Sequence, residues 1–298
     1  MLKKLSAVLL AMMMLIGFAL VGCGSSDEAS GSSKSIGEQL DYTITGIDPG
    51  AGVTQAAQKS VEDYGLDKYK VQTSSESTMV ASLKKAYENK EPIVITGWSP
   101  HWMFAQFDLK YLDDPKKSFG EAEDIHTIAH KGFSEKHPNL KKFFSQFKWT
   151  DDDMNAVMLK QQDNDDALAA AKEWLKDNQD KVDQWTKGVK KGNGEEIKMA
   201  YVAWSSAVAS HNVVKAVLED LGYKVTLQQL DAGPMWGAVA KGSADVTLSA
   251  WLPVTHEAYY KQYKDQVEDL GTSLEGTKLG LVVPKYMKDV NSISDLKK

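Results

Sequence analysis

The chain has 298 residues, 42% hydrophobic and 26% charged side chains, and a formal net charge of −6. That length suits two modest lobes or one large domain, and an acidic, lysine-rich surface argues against nucleic acid as a partner. All 35 Lys-plus-Arg positions are lysine, so the usual bidentate clamp on a carboxylate or phosphate is missing, and an anion must be held by backbone N–H groups, histidine, lysine or hydroxyls.

The N-terminus opens with Met1-Leu2-Lys3-Lys4, an apolar run from Leu5 to Leu20, and then Val21-Gly22-Cys23. A basic start, a short apolar stretch and small residues before a cut describe an export signal over residues 1–22, and the run is too short to span a bilayer. Leu20-Val21-Gly22-Cys23 resembles a bacterial lipobox, in which the cysteine is acylated and becomes the mature N-terminus. Cys23 is the only cysteine, so an internal disulfide is impossible and a lipid anchor gives that residue a purpose. The expected location is extracytoplasmic, on the outer face of the bacterial cell membrane, held there by lipid on Cys23. Residues 23–40, rich in serine, glycine and acid, read as a flexible tether.

Folding is expected to begin near Asp41 with the strand Y-T-I-T-G-I, followed by the turn Asp48–Gly52 and a helix from Val53 to Tyr64 that Gly65 ends. A strand at Lys70–Thr73, a helix at Thr78–Glu88 and a strand at Ile93–Thr96 follow. Ser99–Phe119 reads as irregular, and Glu121–Val189 as mostly helical and polar, with Trp149, Trp174 and Trp185 as core. Lys190–Glu196 is a connection. A second strand–helix series runs from Ile197 to His256, and the tail holds a strand at Leu279–Pro284 and a short helix start at Ser292–Leu296.

The two series echo each other. I-V-I-T-G-W-S-P-H-W (Ile93–Trp102) matches V-T-L-S-A-W-L-P-V-T-H (Val246–His256), aligning Trp98 with Trp251 and Pro100 with Pro253. Alternating strands and helices imply an α/β fold with mostly parallel sheets, whose ligands sit beyond the carboxyl ends of the strands. Returning the tail strand to the first series gives lobe I as residues 41–120 plus 276–298 and lobe II as residues 121–275. The two crossings between them form a hinge.

Three tryptophans fall at strand ends facing that cleft: Trp98, Trp251 and, in Y-V-A-W-S-S, Trp204. Indole faces around a small cavity suit a quaternary ammonium, which cannot donate hydrogen bonds and which water holds weakly. The turn I-D-P-G-A-G-V before a helix places the N–H groups of Gly52 and Val53 where they can receive a carboxylate. An ordinary βα turn is the competing reading of those glycines. His256, five residues after Trp251, can donate to the same carboxylate or sit on a surface loop.

T-G-I-D-P-G-A-G, I-T-G-W-S-P-H-W-M-F, L-K-Y-L-D-D-P-K, S-Q-F-K-W-T, A-Y-V-A-W, A-G-P-M-W and S-A-W-L-P-V-T-H are long, tryptophan-bearing segments spread over residues 43–296. In them the chain resembles the OpuAC family, the lipid-anchored glycine betaine-binding proteins of Gram-positive osmoprotectant ABC importers. The resemblance implies a two-lobed, circularly permuted type II periplasmic-binding-protein-like fold with its ligand in the interlobe cleft. It also implies a trimethylammonium cage at Trp98, Trp204 and Trp251, and a carboxylate site at the Gly52 and Val53 amides and His256. One member of the family carries isoleucine where this chain has Val53, a change of small consequence if only the backbone is used. The implied partners are glycine betaine or a related betaine and an ABC permease with its ATPase subunit. No cofactor, metal or catalytic residue is expected.

Rival readings find less support. His126 and His130 are four apart in H-T-I-A-H, but Thr127 stands where a zinc protease helix needs glutamate. No nucleophile elbow, phosphate loop or dinucleotide fingerprint occurs. A sugar site needs more polar side chains than the strand ends supply. Choline shares the cation but lacks the carboxylate that Gly52, Val53 and His256 would bind.

Overall fold

The computed structural model describes residues 34–164 and 166–298. The signal peptide, Cys23 and most of the tether therefore lie outside the described residues. Folded structure begins earlier than Asp41. Ser35 caps a short helix at Ile36–Gln39 through a reciprocal bond with Glu38, and the Ile36 N–H donates to the carbonyl of Lys298 at 2.8 Å.

Among the described residues nine strands form one mixed sheet: β1 (Thr43–Thr45), β2 (Lys70–Gln72), β3 (Ile95–Ser99), β4 (Leu109–Tyr111), β5 (Glu123–His130), β6 (Glu196–Tyr201), β7 (Lys224–Gln229), β8 (Val246–Leu252) and β9 (Val267–Pro284). Their order is β2-β1-β3-β9-β5-β8-β6-β7, with β4 also on β9. The α/β class is the one the sequence implies. Parallel pairing is confined to β1 with β2 and β3, and to β6 with β7 and β8. The centre is antiparallel: β9 runs through it, pairing over Val267–Thr277 with β5 and over Lys278–Pro284 with β3 and β4, and β5 pairs antiparallel with β8.

The tail strand thus meets β3 as expected, but it is the end of one 18-residue strand rather than a separate segment. Gly271 and Gly276, at φ +113° and +78°, stand beside register shifts in the β5–β9 pairing. Such bulges use a backbone that L side chains rarely adopt, so the glycines bend the strand without ending it. β5 itself departs from the helical reading of Glu121–Val189. It alternates buried Glu123, Ile125 and Thr127 with partly exposed Asp124 and His126, a period of two that its polar buried members disguise. From Phe133 to Thr186 the segment is helical. Trp149, Trp174 and Trp185 are buried core there, with the rings of Trp174 and Trp185 stacked at 6.3 Å.

The helices that position the site start at strand ends. Gly52–Asp63 follows β1, Glu76–Asn89 follows β2, and Ser205–Asp220 follows β6. The peptide bonds before Pro100 and Pro253, just beyond the ends of β3 and β8, are both cis.

Candidate functional site

Trp98 sits near the end of β3, Trp251 near the end of β8, and Trp204 is the N-cap residue of Ser205–Asp220. All three are buried, and together with Gly52 and Val53 they line one small pocket. Register explains the convergence. Trp98 pairs with Leu279 of β9, and Trp251 with Ile125 of β5, so strands adjoining across the sheet bring two indoles to the same end. Ile47, Ala51, Thr255 and Leu279 complete the walls, and no carboxylate or lysine is among the lining residues.

Each indole is held by its neighbours. The Trp204 Nε1–H donates to Asp48 Oδ2 at 3.0 Å, tying the β6 end to the turn after β1. The His101 ring meets Trp98 edge-on at 4.7 Å. The backbone N–H of Trp251 donates to His256 Nδ1 at 3.1 Å.

At the other end of the cavity the Gly52–Asp63 helix begins without a side-chain cap, for its N-cap residue is Ala51. The N–H groups of Gly52 and Val53 are the first two of the helix and donate to no acceptor among the described residues. Two free amides at the positive end of a helix dipole form an anion site that needs no basic side chain. Gly52 is dictated by contact as well. A Cβ there would lie 2.4 Å from the Thr255 carbonyl oxygen and 2.8 Å from its Cα.

His256 is fully buried but is not among the lining residues; it adjoins the cage through Trp204, whose ring lies nearly parallel to it at 5.8 Å. Burial pushes its pKa down to about 3, so the imidazole is neutral near pH 7. With Nδ1 accepting from Trp251, the ring hydrogen falls on Nε2, which has no partner among the described residues. A buried donor left unpaired costs about 1–3 kcal/mol, which an acceptor on a ligand would recover.

Several contributors carry no local mark in the sequence. Glu123 at the start of β5 accepts the N–H groups of Val254 and Thr255, at 3.1 and 2.8 Å, and the Thr255 hydroxyl, and so fixes the turn between Trp251 and His256. Burial raises its pKa despite these bonds. Asp48 and Thr255 contribute as well. Asp48 stood in the turn already singled out, whereas Thr255 matters through its backbone and leaves no compositional trace.

A small aromatic pocket at the strand ends of an α/β fold, with unpaired backbone donors in its lining, defines a substrate-binding protein. Residues 25–177 and 195–298 match the model of the OpuAC family, the substrate-binding domain of ABC-type glycine betaine transport systems, and the chain belongs to that family. It is 50% identical over 299 residues to the glycine betaine/carnitine transport binding protein GbuC of Listeria monocytogenes, covering 100% of this chain and 99% of that protein. Among solved structures, lactococcal OpuAC in its closed-liganded conformation with glycine betaine aligns at 45% identity and a TM-score of 0.48, over 52% of this chain and 63% of that one. An ABC-transporter choline-binding protein in complex with choline aligns at 30% identity and a TM-score of 0.45, over 51% of this chain and 55% of the other. Both of these alignments span less than two thirds of the solved chain.

Proposed function

We propose that the protein holds glycine betaine, and proline betaine as a second ligand, with the quaternary ammonium between Trp98, Trp204 and Trp251. The carboxylate then receives the N–H groups of Gly52 and Val53 and the Nε2–H of His256. The observation that carries this reading is the single cavity that three indoles share with two free helix-start amides. Each desolvated π face contributes about 0.5–2 kcal/mol, whereas a micromolar complex needs about 8 kcal/mol. The anionic end must therefore contribute, and hydrogen bonds to a charged group, each about 1.5–3 kcal/mol, supply the difference.

Residues 41–120 with 276–298, and residues 121–275, act in this reading as two lobes that close on the ligand. The closed arrangement presents it to the permease and its ATPase partner. The reading is supported by the bridge from Trp204 to Asp48, which joins the two strand–helix series.

Calorimetric titration tests the ligand assignment. Glycine betaine should bind more tightly than dimethylglycine, which carries a proton, and more tightly than choline, which leaves the carboxylate donors unpaired. Its affinity should stay constant from pH 6 to 8, because His256, at a pKa of about 3, remains neutral throughout. Equal affinity for all three compounds contradicts the assignment.

The family is one of extracytoplasmic substrate-binding proteins, and no helix among the described residues is long and apolar enough to cross a membrane. A lipid on Cys23 would supply the attachment. Cys23→Ala should release the protein from membranes with its ligand affinity intact; membrane retention of that variant contradicts the anchor.

A further inference from the structure

Behind the cage lies a polar cluster that the ligand chemistry does not use. Glu76 opens the helix after β2 and is buried, a rare place for a carboxylate without partners. Its Oε2 accepts the backbone N–H of Ser205 at 2.9 Å, and its Oε1 accepts the Ser205 hydroxyl and the Nε2–H of His101, the latter at 3.1 Å. The His101 tautomer is set from the other side, where Nδ1 accepts the N–H of Met103 at 3.0 Å. The Trp102 indole N–H donates to Ser205 Oγ at 3.2 Å. Burial alone would raise the Glu76 pKa, but His101 and the Ser205 bonds outweigh it and hold the carboxyl below its usual range.

The cluster joins two parts of the chain that lie far apart in sequence. Glu76, His101 and Trp102 belong to the first strand–helix series, and Ser205 is the first residue of the helix after β6. That helix has no cap of its own, since its N-cap residue is Trp204. Glu76 therefore serves as its capping anion from the other series, neutralising the positive helix end. The same carboxylate touches both walls of the cage, through Ser205 next to Trp204 and through His101 against Trp98.

We propose that Glu76 is a positioning residue that latches the two lobes over the bound ligand, by capping the Ser205 helix in trans while His101 holds its other oxygen. This rests on the reading of a ligand enclosed between two closing lobes. When the lobes part, Ser205 withdraws and water replaces it at Glu76, so the contact stabilises the closed liganded state and contributes little to the open one. Glutamine cannot substitute, because all three partners are donors and its amide nitrogen would face at least one of them.

The test is stopped-flow tryptophan fluorescence on the full chain with glycine betaine, comparing wild type, Glu76→Gln and Ser205→Ala. The latch predicts that Glu76→Gln raises the dissociation rate more than tenfold and leaves the association rate within threefold. The ligand-free melting temperature should be nearly unchanged. Ser205→Ala keeps the backbone donor and should show a smaller rise of the same kind. Unchanged dissociation rates in both variants would overturn the latch, as would a loss of ligand-free stability with both rates disturbed, which marks a merely structural role. Failure of wild type to bind glycine betaine would instead remove the underlying ligand reading.

Discussion

Trp251→Ala is expected to weaken glycine betaine binding by more than tenfold. A tenfold loss corresponds to about 1.4 kcal/mol, within the range one desolvated indole face supplies to a methylated cation. Truncation also opens one wall of the cavity, so water reaches the remaining faces and lowers what they contribute. Trp251 is buried, and removing a buried tryptophan costs a fold about 3–5 kcal/mol, so melting by circular dichroism must accompany the titration. Trp251→Phe separates the two effects, for it keeps a π face and should lose less affinity. A dissociation constant that does not change in the folded alanine variant would remove the cage.

Gly52→Ala should have a comparable effect through backbone contact. The added methyl would sit 2.4 Å from the Thr255 carbonyl oxygen, closer than real Cβ contacts come, and main chain cannot swing aside as a side-chain tip can. Overpacking of this kind costs about 1–3 kcal/mol, or about 5- to 150-fold in the dissociation constant. Alanine is otherwise the better residue in a helix, so the ligand-free protein should be no less stable if Thr255 belongs to the opposing lobe. Wild-type affinity by titration calorimetry would mean that Gly52 and Thr255 need not approach for binding. Weak binding with an equal loss of ligand-free stability would place the contact within one rigid body.

These two residues also show which features a sequence exposes. Trp98, Trp204 and Trp251 were legible because strand-end position and bulky side chain coincide, and the repeated Trp-x-Pro spacing marks two of them. Gly52 was legible as a turn glycine, but its packing against Thr255 depends on a contact across about two hundred residues of chain. β5 was hidden because its inward positions include Glu123, whose carboxylate accepts the Thr255 N–H, and Thr127, two polar residues whose burial hydropathy does not announce. β9 was cut short because Gly271 and Gly276 look like terminators, whereas bulges let the strand continue and carry Leu279 to the cavity. His256 was placed as a direct ligand donor; what its surroundings add is a neutral ring and a fixed tautomer, which depend on burial and on the Trp251 amide. Glu76 and Ser205 stand 129 residues apart, and nothing local in either segment points to the other.

A crystal structure of the protein with glycine betaine tests the central claim most directly. The account predicts the ligand nitrogen within about 6 Å of the ring centroids of Trp98, Trp204 and Trp251. The carboxylate oxygens should lie within hydrogen-bonding distance of the Gly52 and Val53 amides and His256 Nε2. Ligand lodged elsewhere, or bound with its carboxylate turned toward the indoles, would contradict it.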